Sequence, residues 1–273
     1  MDAPVRAFVF DVGNTLWFEA KAPDMDRVAE LEAAQVAPLL DRWGVKLDEP
    51  LAPIITAIWD AYMAAWQIEM DRGRFREPSL PFLIRGAMAT RDIELTDEQA
   101  HEWWRAAWIS SKEFGLQLYP DTLDVLRALK AAGMTIGVNT NRPCTGAMFL
   151  EDGAAVFGFR EYIDDAVCSC DTGYLKPHPS TFKLILDRLG MRPDEVVMVG
   201  NTLHADIEPA KALGMHTVWK LNGRYDLPPS PAADYAIHDL NEILSLPLLG
   251  EFAHAVASAE SPNPHDDDNE DRY

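Results

Sequence analysis

Positive charge is scarce in this chain: 24 lysines and arginines stand against 44 aspartates and glutamates, a formal net charge of −20. Repulsion would oppose approach to a nucleic-acid backbone or an anionic membrane surface, so neither is expected as a partner, and any anionic ligand needs cations gathered locally. Cysteine is scarcer still. Cys144, Cys168 and Cys170 are an odd number without paired zinc spacing, which argues against a disulfide framework and a structural metal site and leaves three small core residues. Long apolar runs are missing too. No stretch approaches the roughly 18 residues of a membrane span, and the first residues hold no signal-peptide core, so a cytoplasmic protein is expected.

Strand patterns are absent from 19–114, where helical periodicity covers 27–43, 54–70, 81–89 and 97–111. Six of the eight tryptophans fall there: Trp43, Trp59, Trp66, Trp103, Trp104 and Trp108. At helical spacing such residues serve first as core packing; a slot that stacks a substrate is the minority reading. Outside this stretch, apolar runs at 5–10, 134–138, 166–170, 195–199, 216–219 and Tyr235–Ile237 read as strands. Between them lie short helices ending at Gly133, Gly190 and Gly214, glycine being the residue favoured just past a helix C-terminus. The pattern at 181–189, with Ser180 as N-cap, is one of them. Strand, helix, strand at these intervals predicts an α/β fold, a doubly wound parallel sheet with helices on both faces. We expect 1–18 and 115–250 to form the core, 19–114 a helical insertion, and 251–273 an acidic, disordered tail.

In such a sheet ligands bind at the carboxyl ends of the strands. Asp11 ends the first strand, Thr140 and Asn141 follow "MTIGVN", Lys176 sits in "GYLKPHP", and Asn201 ends "VVMVGN" with Asp206 five residues on. Each has a plainer local role available, as turn residue, surface lysine or first-turn acid. Together, "DVGNT", "TN", "LKP" and "GNTLHAD" resemble, in order, the four motifs of the haloacid dehalogenase superfamily, and the helical insertion falls where that family carries its cap.

The resemblance implies a phosphatase-type hydrolase acting on a small phosphorylated molecule with Mg²⁺ as cofactor. Asp11 would be the nucleophile, forming an acyl phosphate. Thr140 and the amide at Asn141 would hold the transferring oxygens while Lys176 offsets charge in the transition state. Asp11, the Gly13 carbonyl, Asn201 and Asp206 would ligate the metal. Arg142, beside the second motif, and Arg74 and Arg76, in the "DRGRFREP" linker of the cap, are candidates for substrate contact.

Two positions depart from the family's pattern. Gly13 stands where an aspartate normally protonates the leaving oxygen, and general acid-base help of that kind is typically worth about 10² to 10⁴ in rate. His178 and His204 are substitute acids to weigh against plain loop histidines. Asn201 stands where the family has a metal-binding acid. Both departures occur in the family's metal-independent dehalogenases, although the Asn201 to Asp206 interval matches the phosphatases; a phosphonate-cleaving enzyme would need a cap lysine, for which Lys46 is poorly placed. A non-catalytic binder of a phosphorylated metabolite or a protein partner also stays open.

Overall fold

The computed structural model describes residues 4–224 and 226–249; the expected acidic tail lies outside the described residues. Six parallel strands, β1 (Ala7–Phe10), β4 (Thr135–Thr140), β5 (Asp165–Cys168), β6 (Val196–Gly200), β7 (His216–Lys220) and β8 (Tyr235–Ile237), form one sheet in the order β5-β4-β1-β6-β7-β8. β2 (Trp17–Glu19) and β3 (Leu116–Leu118) form a separate antiparallel pair. The central strand shows why the sequence reads as it does. All four residues of β1 are buried, Phe8 and Phe10 in the apolar cluster on one face, Ala7 and Val9 in that on the other. A strand buried on both faces has no alternation to show, only an apolar run.

Helix α5 (Thr122–Ala131) covers the first face, with Val125, Leu126 and Leu129 in its cluster. Helix α8 (Pro179–Leu189) covers the other with Phe182, Ile185 and Leu186. Four further helices, α1 (Met25–Trp43), α2 (Leu51–Asp71), α3 (Leu80–Ala89) and α4 (Asp97–Ala106), pack around a third cluster of their own that includes Val36, Ile54, Ile84, Met88 and Trp103. Among the described residues no helix is long and apolar enough to cross a membrane.

Four local expectations are corrected. The β2/β3 pair brackets the helical stretch and was not expected, each strand being only three residues long. Helix α4 stops at Ala106 rather than 111, because the Ser111 amide and hydroxyl both bond the Asp152 carboxylate and draw the chain off the helix axis. Strand β5, which follows the one-turn helix α6 (Gly146–Phe149), ends at Cys168, where a short helix, α7 (Ser169–Thr172), begins. Helix α8 is capped by His178, whose ring nitrogen accepts from the Ser180 amide, rather than by Ser180.

The connection between α2 and α3 lies along the core. Leu175 donates to the Phe75 carbonyl at 2.7 Å, Glu77 to the Gly173 carbonyl at 2.9 Å, and Arg76 and Tyr174 form an antiparallel bridge. This seam fixes the segment that leads directly into Lys176.

Candidate active site

Asp11 follows β1, and its amide donates to Val199 of the neighbouring strand, so the side chain leaves the sheet at its carboxyl edge. It is 7 % exposed. Lys176 reaches the same point from the β5–α8 connection and is buried with it. The ammonium has three N–H donors and uses each: to Asp11 Oδ1 at 2.7 Å, Asp206 Oδ1 at 2.6 Å and the Asn139 carbonyl at 2.8 Å. The remaining carboxylate oxygens are also bonded. Thr15 donates to Asp11 Oδ2 at 3.1 Å, and the Thr202 amide to Asp206 Oδ2 at 2.9 Å.

Burial works against both charges of the ion pair, and the outcome differs by residue. Burial alone would lower the Lys176 pKa, but the Asp11 and Asp206 carboxylates outweigh it and leave the group above its ordinary value. Asp206 is pushed up to about 6, first by burial and then by the charge of Asp11, with Lys176 and the Thr202 amide pulling the other way. Two acids sharing one lysine leave a net negative charge, the natural place for a further cation.

The oxygen donors suit a hard cation. Mg²⁺ takes about six oxygen ligands, with only one or two carboxylates among them. The Thr15 hydroxyl lies 3.1 Å from Asp11 Oδ2 and 3.5 Å from Asn201 Oδ1, so carboxylate and amide oxygens converge on one point. Among the described residues Asn201 Oδ1 otherwise meets only the Thr202 hydroxyl, at 3.4 Å. Two carboxylates, one amide oxygen and a nearby carbonyl match Mg²⁺ in kind, and among the described residues there is no group of three or more acidic, histidine or cysteine side chains that would suit a metal better.

Two glycines shape the site in opposite ways. A Cβ on Gly200 would come within 2.5 Å of the Asp206 side chain, so glycine there is what lets Asp206 fold back to the sheet. A Cβ on Gly13 would meet nothing within 4 Å, so the space that a general acid would occupy is open.

The other residues singled out from sequence divide. Thr140 is buried at the end of β4. The Asn141 side chain makes a reciprocal pair with the Lys176 backbone, accepting from its amide at 2.7 Å and donating to its carbonyl at 3.0 Å, and so braces the lysine's loop. Arg142 places its guanidinium over the rings of Trp17 and Trp108, 5.0 and 5.6 Å from their centroids. Arg74 forms a two-pronged pair with Glu69, and Arg76 is exposed beside its backbone bridge. His178 is spent on capping α8 and stacks on Tyr174 at 3.9 Å, while His204 is exposed. All three cysteines are free.

Sequence reasoning missed a cavity of about 400 Å³ where the helical layer meets the core. Its walls include Trp59, Trp66, Trp103, Trp104 and Trp108 from the helical layer, and Asn141, Arg142 and Pro143 from the end of β4. Trp104 ties the two parts together, its indole N–H donating to the Pro143 carbonyl at 3.0 Å. Six tryptophans at helical spacing were the available signal, but spacing cannot tell a filled core from a hollow one.

An acid, a lysine and a second acid at the carboxyl edge of an all-parallel sheet, beneath a helical layer, define an α/β hydrolytic site. The chain belongs to the haloacid dehalogenase-like hydrolase family, whose model matches residues 5–214. Among named relatives it is similar to a glyceraldehyde 3-phosphate phosphatase of Methanocaldococcus jannaschii, 37 % identical over 133 residues, covering 48 % of this chain and 57 % of the relative. It is also similar to a phosphoglycolate phosphatase of Rhodospirillum rubrum, 32 % identical over 154 residues, covering 55 % and 62 %. The matched part is thus less than two thirds of either relative. Among solved structures, a 2-haloacid dehalogenase from Pseudomonas syringae pv. Tomato shares the fold at a TM-score of 0.56 and 23 % identity, over 88 % of this chain and 97 % of that one.

Proposed function

We propose that this hydrolase is a phosphomonoesterase working through an aspartyl-phosphate on Asp11, with the helices α1–α4 as its cap. The observation that carries the reading is the Lys176 ammonium, which holds Asp11 and Asp206 together at the sheet edge with all three of its N–H bonds used. A carboxylate fixed this way is oriented before substrate arrives, so little of the binding energy is lost to positioning it. The phosphatase names of the relatives point the same way.

In the first step an Asp11 carboxylate oxygen bonds to phosphorus as the ester P–O bond breaks, and the leaving oxygen takes a proton from water. In the second, water adds to phosphorus, inorganic phosphate leaves, and the Asp11 carboxylate is regenerated. Thr140 and the Asn141 amide hold the phosphoryl oxygens; Lys176 fixes Asp11 and offsets the charge that builds on those oxygens. Mg²⁺ would be held by Asp11, the Gly13 carbonyl, Asn201 and Asp206, and when bound it supplies charge neutralisation at the phosphoryl group. Gly13 provides no acid, so esters with good leaving groups are the favoured substrates.

The test is hydrolysis of para-nitrophenyl phosphate, with and without Mg²⁺, by wild type and Asp11→Asn. Its phenolate leaves without a proton, so the absence of an acid at Gly13 does not conceal the nucleophile. Turnover by wild type and a loss of about 10³-fold or more in Asp11→Asn are expected. Calorimetry with Mg²⁺ gives a second readout, binding by wild type and none after Asp206→Ala. Gly13 and Asn201 also favour a second reading, a metal-independent dehalogenase. Chloride release from 2-chloropropionate with no phosphate release from any ester would establish that reading instead.

A further inference from the structure

The wall of the cavity between the helical layer and the core carries three charged residues: Arg142 in the core part, Glu32 in the helical layer, and the exposed Glu19 at the end of β2. In the core part stands Arg142, next to the second motif, stacked between Trp17 and Trp108. Its Nε and the Trp108 indole Nε1 are both buried and have no acceptor among the described residues. Buried donors in native proteins are paired, so these two orphans leave the Arg142 side of the cavity wall short of acceptors. The guanidinium itself, beside the phosphoryl site, gives that wall a positive charge suited to an oxygen-rich group.

In the helical layer the wall holds Glu32, 4 % exposed, on α1. Its carboxylate accepts from the Trp59 indole at 3.0 and 3.1 Å, and no lysine or arginine among the described residues pairs with it. Burial pushes its pKa up to about 7, the Trp59 hydrogen bond offsetting only part of the cost. A buried carboxylate without a counter-charge is expensive unless something arrives to pair with it. Indole faces attract cations through the ring quadrupole, and aromatic walls with an acid behind them are how quaternary ammonium groups are recognised in general.

We propose that the cavity binds the organic part of a phosphomonoester whose apolar body ends in an ammonium group: phosphate against the core, cation among the indoles and Glu32. This assignment of substrate class rests on the phosphatase reading above. It follows from the complementarity of a ligand negative at one end and positive at the other with a cavity that sets one cation, Arg142, against two acids, Glu32 and Glu19. The volume, about 400 Å³, lies within the range of small-molecule sites.

The test separates the cation site from the chemistry. Tryptophan fluorescence of the full chain is titrated, at about pH 8 where Glu32 is ionised, with choline and with 3,3-dimethylbutan-1-ol, the uncharged carbon isostere of choline. Choline is expected to bind at least about tenfold more tightly than the isostere. Glu32→Gln, which keeps an acceptor for Trp59, should erase that preference, and Trp66→Leu should weaken choline by about tenfold, with circular dichroism confirming that both variants are folded. Equal affinity for the two probes, an unchanged preference in Glu32→Gln, or no saturable binding of choline overturns the proposal. Selective choline binding in a protein that hydrolyses no para-nitrophenyl phosphate leaves the cation site standing and removes the phosphatase reading. Hydrolysis without selective choline binding does the reverse.

Discussion

Asp206 and Glu32 are both buried acids with raised pKa values, about 6 and about 7, yet their surroundings have nothing in common. Asp206 sits in a closed polar network, with a lysine on one oxygen and a backbone amide on the other. Glu32 faces indole rings and has one N–H donor for two oxygens. The first arrangement spends its hydrogen bonds on holding Asp11 and Lys176 still. The second leaves binding capacity unspent, in a cavity. On the function proposed above, chemistry at the strand ends and recognition among the helices are separated, and the two meet at Asn141 and Arg142, which line the cavity.

The sharpest way to break that contrast is to open the closed network. Lys176→Met removes the cation and leaves Asp11 and Asp206 facing each other in a buried site. Breaking a buried pair by taking one partner costs about 3–5 kcal/mol, so chemical denaturation should show a loss of that size together with loss of hydrolysis. Adding Asp206→Leu to Lys176→Met removes the second uncompensated charge and should return part of the stability but none of the activity. If Lys176→Met is as stable as wild type, the network is not closed in the sense described.

A second experiment adds a function to the same region. Gly13 has open space at its Cβ position and no positive φ to obstruct a side chain. Gly13→Asp should therefore fold normally and supply the acid that an alkyl leaving group needs. An increase of about 10²-fold in kcat on an alkyl phosphate is expected, the low end of what general acids give, with little change on para-nitrophenyl phosphate, whose leaving group needs no proton. Equal gains on both substrates would mean that the new carboxylate acts on the metal or the fold instead.

How far the sequence revealed these two regions follows from their physics. Asp11 stands just past an apolar run, and Lys176 and Asp206 lie in the connections that follow two others; parallel strands bring such connections to one edge, so the meeting of these three side chains was legible. Glu32 was not. It is one acid among many on a helix whose neighbours are set by tertiary packing, and only the placement of α2 beside α1 turns it from a surface residue into a buried one. The indole-lined cavity was hidden for a related reason: periodicity tells which helix face is covered, not whether the covered faces meet. Arg74 and Arg76 were singled out by charge and linker position, but charge alone cannot show that Glu69 takes up the first and that the second contributes its backbone to a bridge with Tyr174. Local competition also decided the end of α4, where a distant carboxylate, Asp152, captured the Ser111 amide.

The smallest expected effect concerns the open region, and its sign is fixed by linkage. The folded chain holds a proton on Glu32 up to about pH 7, whereas an unfolded glutamate releases it near its ordinary value of 4.5. Between those values the folded state binds more protons than the unfolded one, so the stability contributed is full below about 4.5 and is lost as pH rises through about 7. Glu32→Gln has no such loss. Its stability relative to wild type should climb over that interval by about 2 kcal/mol, less than the full shift of the carboxyl would give, and then level off. Glu77 is also pushed up to about 7 by burial, but it titrates in both proteins and cancels in the difference, and neither Glu19 nor Arg142, the other charged residues of the cavity wall, is altered by the substitution. Denaturant titrations of both proteins at several pH values measure the slope directly. A difference that stays flat from pH 4.5 to 7 would mean that Glu32 is charged throughout, paired with something other than Trp59, and the contrast between a closed site and an open one would lose its second half.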